Sequence, residues 1–185
     1  MTEFTIHTAE TAPQDSKEML AASKKAFGFV PNLHAVFAES PQALEAYKAL
    51  SDLFAASSLS NDERNVVWLA INVEHHCLYC VPAHTWIAQS QGLDEDTVNA
   101  LRSGSPLSDP KLETLRSFTL KVVRQRGVVT DADVEEFLSA GFTKQNILDV
   151  ILGVTHKVLS NYTNHFADTP VDEPFAAHAW TPTVS

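Results

Sequence analysis

The stretch Leu59-Ser60-Asn61-Asp62-Glu63-Arg64-Asn65-Val66-Val67-Trp68-Leu69-Ala70-Ile71-Asn72-Val73-Glu74-His75-His76-Cys77-Leu78-Tyr79-Cys80-Val81-Pro82-Ala83-His84 decides how the chain is read. Ser60 with Glu63 three residues on is a capping box, in which hydroxyl and carboxylate each satisfy a backbone N–H at a helix start. Behind it come Val66, Val67, Leu69, Ala70 and Val73, so the helix is apolar over most of its surface and is expected to be buried. A turn at His75-His76 follows, and then Cys77-x-x-Cys80. Pro82 lies two residues past Cys80, where a first helical turn tolerates a missing N–H. A second helix is therefore expected from the cysteines to Gln91, stopped by Gly92.

The same punctuation continues outward. A helix over 15–27 is stopped by Gly28 and Pro31, a short one capped by Asn32 runs to 39, and Pro41 opens another to about 57. Further on, helices are expected over 94–102, from Asp109-Pro110 to near Gly127, and over 130–138. Leu112, Leu115, Phe118 and Val122 mark the buried side of the second of these. Thr143 opens the last long helix, striped by Ile147, Val150, Ile151, Val154, Val158 and Leu159. Strand-like alternation is absent, so the fold class is all-α. The expected division is an extended arm over 1–14, one helical domain over 15–170 and a C-terminal tail over 171–185. Phe142-Thr143 to Thr163 also lies without gaps on Leu59-Ser60 to Cys80, with Val150 on Val67, Leu152 on Leu69 and Tyr162 on Tyr79. Ser160 then falls on Cys77 and Thr163 on Cys80, which raises an internal duplication whose second copy has no thiols.

The 185 residues are 44% hydrophobic and 19% charged, the composition of one ordinary globular domain. A formal net charge of -10 argues against nucleic-acid binding and against docking on anionic membranes. No apolar run approaches the ~20 residues of a membrane span. Met1-Thr2-Glu3-Phe4 has neither the basic nor the apolar region of a signal peptide, so the expected address is the cytoplasm. In that reducing compartment a lone close pair of cysteines points to redox or metal chemistry rather than to a structural staple.

The thiolate is the reactive form of cysteine, and a helix N-terminus or a nearby imidazole favours it. His84 follows Cys80 by four residues, so on one helix their Cβ atoms would stand ~5–6 Å apart, as a base and its nucleophile should. Cys77 is then the resolving thiol, with the reverse order also open. Two other readings compete: the cysteines as small core residues, or Cys77, Cys80 and His84 with His76 or Glu74 as four tetrahedral metal ligands. No second ligand pair lies at a distance, and the reading taken is thiol chemistry with no organic or metal cofactor. Glu63 reads first as a capping partner, Glu74 and His75 as a solvated helix end, and Tyr79 as a packing residue with a solvated hydroxyl. His156 reads as an ordinary helix-face residue. His165, with Asn164, is a candidate for lining a pocket, and Trp68 and Trp86 for its apolar wall.

Leu59-Ser60-x-x-Glu63-Arg64, Val66-Val67-x-Leu69-Ala70 and Cys77-x-Tyr79-Cys80-x-x-Ala83-His84 together resemble the core of the AhpD-like branch of the carboxymuconolactone decarboxylase family. Phe27-Gly28-Phe29-Val30-Pro31-Asn32 and Asn164-His165-x-Ala167-Asp168-Thr169-Pro170 are similar to segments of its peroxidase-related members. The resemblance implies a helical bundle that self-associates as a dimer, trimer or hexamer. It implies reduction of hydroperoxides, or disulfide exchange, by Cys77 and Cys80 with His84 as base. The reductant would be a dithiol partner such as a lipoyl- or thioredoxin-like protein. The relay glutamate of AhpD, twelve residues before the first cysteine, falls here on Asn65, which can hydrogen-bond but cannot carry a proton. Glu63 and Glu74 are the nearby carboxylates. A dithiol–disulfide oxidoreductase, a decarboxylase or lactone-processing relative, and a non-catalytic redox or metal-binding oligomer stay open beside the peroxidase.

Overall fold

The computed structural model describes residues 3–182, so the first two and last three residues of the expected arm and tail lie outside it. Among the described residues there are nine α-helices and no strand. They are α1 (Lys17–Phe27), α2 (Asn32–Phe37), α3 (Pro41–Ala55), α4 (Asn61–Glu74), α5 (Cys80–Ser90), α6 (Glu95–Ser103), α7 (Pro110–Arg124), α8 (Asp131–Ser139) and α9 (Lys144–Ala167). The all-α expectation holds, and its local reasons are visible. Ser60, Thr130 and Thr143 each head a capping box, and Asp94 and Asp109 cap α6 and α7 with their carboxylates. The helix expected from residue 15 begins as a 3-10 turn over Gln14–Ser16 before α1 proper. That expected to residue 39 ends at Phe37, three residues before Ser40, which caps α3.

The buried apolar side chains form two clusters. One joins α4 to α6, α7, α8 and α9, with the rings of Phe118, Phe137 and Phe142 stacked at 4.2 and 4.4 Å between centroids. The other joins α1, α2, α3 and α5 around Leu20, Leu33, Leu44, Tyr47, Cys77 and Cys80. Gly153 lets α9 lie close against α3 and α4: a Cβ there would come within 2.7 Å of the Phe54 ring and 2.9 Å of Val67. That approach brings the second half of α9 beside the α4–α5 turn.

The capped start of α4 is repeated at α9, but α9 is still helical where the residues matched to Cys77 and Cys80 fall. The two aligned segments therefore diverge at the turn that carries the thiols. The tail segment folds back as a 3-10 stretch, Glu173–His178, with Phe175 buried in the second cluster. Arg102 of α6 donates to the carbonyls of His178 and Ala179, and the Trp180 indole donates to the Arg102 carbonyl at 2.8 Å. No described helix is long and apolar enough to cross a membrane.

Candidate active site

The thiols are placed by how α4 ends. His76 takes a left-handed conformation, φ 53°, and Cys77 N–H closes back on the Asn72 carbonyl at 3.0 Å. The chain then reverses into α5, and the Cys80 N–H points at Cys77 Sγ, 3.3 Å away. Both cysteines are free and buried. Opposite them, α9 carries buried His156, Lys157, Ser160, Asn161 and Asn164 at helical spacing, a polar stripe on a face that is apolar further up.

That stripe meets the thiols. Asn164 Nδ2 lies 3.1 Å from Cys80 Sγ and 3.9 Å from Cys77 Sγ, and Ser160 Oγ is 4.0 Å from Cys80 Sγ. Lys157 Nζ is 2.8 Å from His84 Nε2. Asn161 Nδ2 donates to Asn72 Oδ1 at 2.9 Å, while its own Oδ1 is met by His75 Nδ1 at 2.9 Å. Burial opposes ionisation of Cys80. The Cys77 thiol, the Lys157 charge and the Asn161 and Asn164 amides outweigh it and bring its pKa down to about 6. Cys77 is pushed the other way, by its hydrogen bond to Cys80, by burial and by the Cys80 charge. Lys157 is fully enclosed; burial lowers its pKa and the two sulfurs oppose that. Burial first, then Lys157 and His156, hold His84 neutral.

A narrow pocket of about 50 Å³ reaches Cys80 between Leu33, Tyr79, Ala83, His84 and Lys157. Phe27, His34, Tyr47, His84 and Ile87 border both it and a groove of about 450 Å³ walled further by Trp68, Trp86 and His156. Cys80 lines the inner pocket and Cys77 does not.

Several expectations are corrected. His84 stands one turn beyond Cys80 and shares its pocket, but its hydrogen bond is to Lys157, and among the described residues none joins it to a sulfur. Asn65 donates to the Asn61 carbonyl and to Gln91 Oε1 at 2.8 Å, at the far end of α5 from the thiols. Neither carboxylate replaces it: Glu63 closes its capping box and pairs with Lys111, and Glu74 is engaged by Arg124. The Tyr79 hydroxyl is not solvated; it is buried and donates to Asp172 Oδ2 at 2.6 Å. His165 is exposed beside Tyr162, so of the two pocket candidates on that turn only Asn164 reaches the sulfurs. His156, read as an ordinary helix-face residue, is a buried acceptor for the Trp68 indole. Among the described residues no three His, Cys, Asp or Glu side chains converge as metal ligands. Lys157, Ser160, Asn161, Asn72 and Asp172 were not foreseen. The available signal for the first three was a polar stripe continuing the apolar face of α9.

The carboxymuconolactone decarboxylase family model matches residues 38–120, which contain both cysteines and His84. A search of curated proteins found no match. Among solved structures, an AhpD-core, peroxidase-related protein of Ralstonia eutropha superposes with TM-score 0.84 at 23% identity, covering 94% of this chain and 93% of that one. A peroxidase-related protein of Silicibacter gives 0.80 at 21%, with coverage of 94% and 93%. The debrominase Bmp8, as a cysteine-to-alanine variant bound to 2,3,4-tribromopyrrole, gives 0.78 at 14%, with coverage of 96% and 95%. At these identities the structural likeness is one of fold. The chain thus matches the carboxymuconolactone decarboxylase family model over the segment that bears its cysteines and has the AhpD-like fold over nearly its whole length.

Proposed function

We propose that the protein is a thiol-based oxidoreductase that reduces organic hydroperoxides, with Cys80 attacking and Cys77 resolving. The observation that carries this is the Cys80 thiol at the inner end of an apolar pocket, with Asn164 Nδ2 at 3.1 Å, the Lys157 charge nearby and a second thiol beside it. At neutral pH Cys80 has given its proton to solvent and stands as a thiolate stabilised by the Lys157 ammonium. The thiolate attacks the terminal oxygen of the hydroperoxide, the O–O bond breaks, and sulfur is oxidised to a sulfenic acid. The departing alkoxide receives a proton from the Lys157 ammonium and leaves as the alcohol. Cys77 then attacks the sulfenic sulfur, the S–O bond breaks, and water and a Cys77–Cys80 disulfide result. One hydroperoxide and two thiol hydrogens are consumed. A dithiol, such as a lipoyl- or thioredoxin-like protein, returns the pair to thiols by exchange. His84 is a neutral donor at the pocket wall in this scheme, not the base.

The aromatic walls of the groove favour an organic over an inorganic peroxide. Self-association and cytoplasmic residence accompany the reading; the exposed Leu148, Ile151, Tyr162 and Phe166 of α9 support the first. The test is one equivalent of cumene hydroperoxide added to reduced protein and read by intact mass. The expected product is two hydrogens lighter, with Cys77 and Cys80 joined. Unchanged thiols, or dehalogenation of a bromopyrrole where the hydroperoxide is left intact, would overturn the proposal.

A further inference from the structure

We infer that the 450 Å³ groove binds an uncharged organic molecule carrying an oxygen acceptor of the carbonyl, ester or ether kind, read by the side chains of His156 and His84. This deepens the reading above by naming the class of molecule whose hydroperoxide Cys80 would meet.

The inference begins with a tautomer. Trp68 Nε1 donates to His156 Nδ1 at 3.2 Å. An indole nitrogen only donates, so Nδ1 is the bare nitrogen of that imidazole. Burial, with Lys157 and His34 nearby, keeps the ring neutral, so its one proton is on Nε2. Nε2 is buried and, among the described residues, has no hydrogen-bond partner. His84 repeats the pattern: its Nε2 accepts from the Lys157 ammonium, its proton is therefore on Nδ1, and Nδ1 is also buried without a partner. The two rings flank the Trp68 indole, with centroids 6.0 and 5.0 Å from it. Both side chains line the groove, and each keeps one unspent, enclosed N–H donor.

The rest of that wall sets the class of ligand. Phe27, Tyr47, Trp68, Trp86 and Ile87 are apolar or aromatic. The charges bordering it, Lys48 and Asp52, are of opposite sign, so the groove has no net attraction for an ion. Buried donors without acceptors destabilise a fold, and a ligand oxygen removes that cost. A site built this way rejects an analogue that lacks the acceptor.

Acetophenone and α-methylstyrene test this, since they share a shape and differ in having a carbonyl or a methylene. In reduced protein with ¹⁵N-labelled histidine, His156 should show the neutral Nε2–H form. Acetophenone should bind about tenfold tighter than α-methylstyrene and shift the Nε2 resonance, tenfold being what one neutral hydrogen bond typically gives. His156→Phe should erase the preference, and His156→Gln, which keeps a donor, should retain part of it. Equal binding of the two compounds by the wild type, an Nδ1-protonated His156, or a preference that survives His156→Phe would each overturn the inference. If His156→Phe does not fold, the wild-type spectrum and ligand pair decide alone. A protein that prefers acetophenone but leaves cumene hydroperoxide intact keeps this site and loses the peroxidase reading.

Discussion

The two apolar clusters are built on opposite principles. The one against α6, α7 and α8 is aliphatic and aromatic throughout, centred on the Phe118–Phe137–Phe142 stack. The one against α5 holds the thiols and faces an enclosed lysine, two neutral imidazoles and three asparagines. Apolar burial supplies most of the folding free energy, whereas enclosing polar groups and charges opposes it. The first region accounts for the fold, and the second uses that stability to hold a thiolate out of water.

Six substitutions, in five tests, sharpen or break this contrast. The largest effect is expected at the thiols. Cys80→Ser should lower hydroperoxide turnover more than about a thousandfold, and Cys77→Ser should consume one equivalent and stall as a sulfenic acid, seen by dimedone trapping and mass spectrometry. Next, Phe137→Ala should cost about 3–5 kcal/mol in denaturant unfolding while leaving the pH profile of Cys80 alkylation in place. A profile that moves with it would mean the two clusters are not separable.

Lys157→Met reverses that test. Thiolate reacts and thiol does not, so wild-type alkylation should rise as pH passes about 6. In the variant the rise should move towards ~8.5, with stability unchanged or improved, because an enclosed charge gives way to an apolar chain. An unmoved profile would show that the amides alone hold the thiolate.

The smaller effects concern position. Tyr79→Phe removes the donor at 2.6 Å from a buried Asp172 carboxylate and should cost about 1–3 kcal/mol in thermal or denaturant melts. Asn65→Glu should leave Cys80 alkylation unaltered, because its amide is occupied at the Gln91 end of α5. A faster variant would restore Asn65 to the relay.

What the sequence made legible was local. The boxes at Ser60, Thr130 and Thr143 close within three residues, and the two cysteines lie three apart. Apolar periodicity then placed α3 and α4 within a residue or two, and the start of α9, but not the end of α9 at Ala167. The parts of the site that stayed hidden are joined across the chain: His84 to Lys157 over 73 residues and Tyr79 to Asp172 over 93. No local propensity encodes such pairs. Asn65 shows a related error, since counting along the chain ignores its reversal at the turn after α4. The α4 residue beside His84 is Trp68, at 5.0 Å between ring centroids, and the one bonded to the Cys80 carbonyl is Asn72.

The distance in sequence between Cys80 and Asn164, 84 residues, has a consequence during synthesis. A ribosome releases both thiols well before it has made the second half of α9. Until that helix docks, Cys80 has neither the ammonium nor the amide that stabilises its anion, and it behaves as an ordinary thiol. The nascent chain is thereby spared an activated sulfur while it is still open to stray oxidants, and reactivity switches on only when the last long helix is seated.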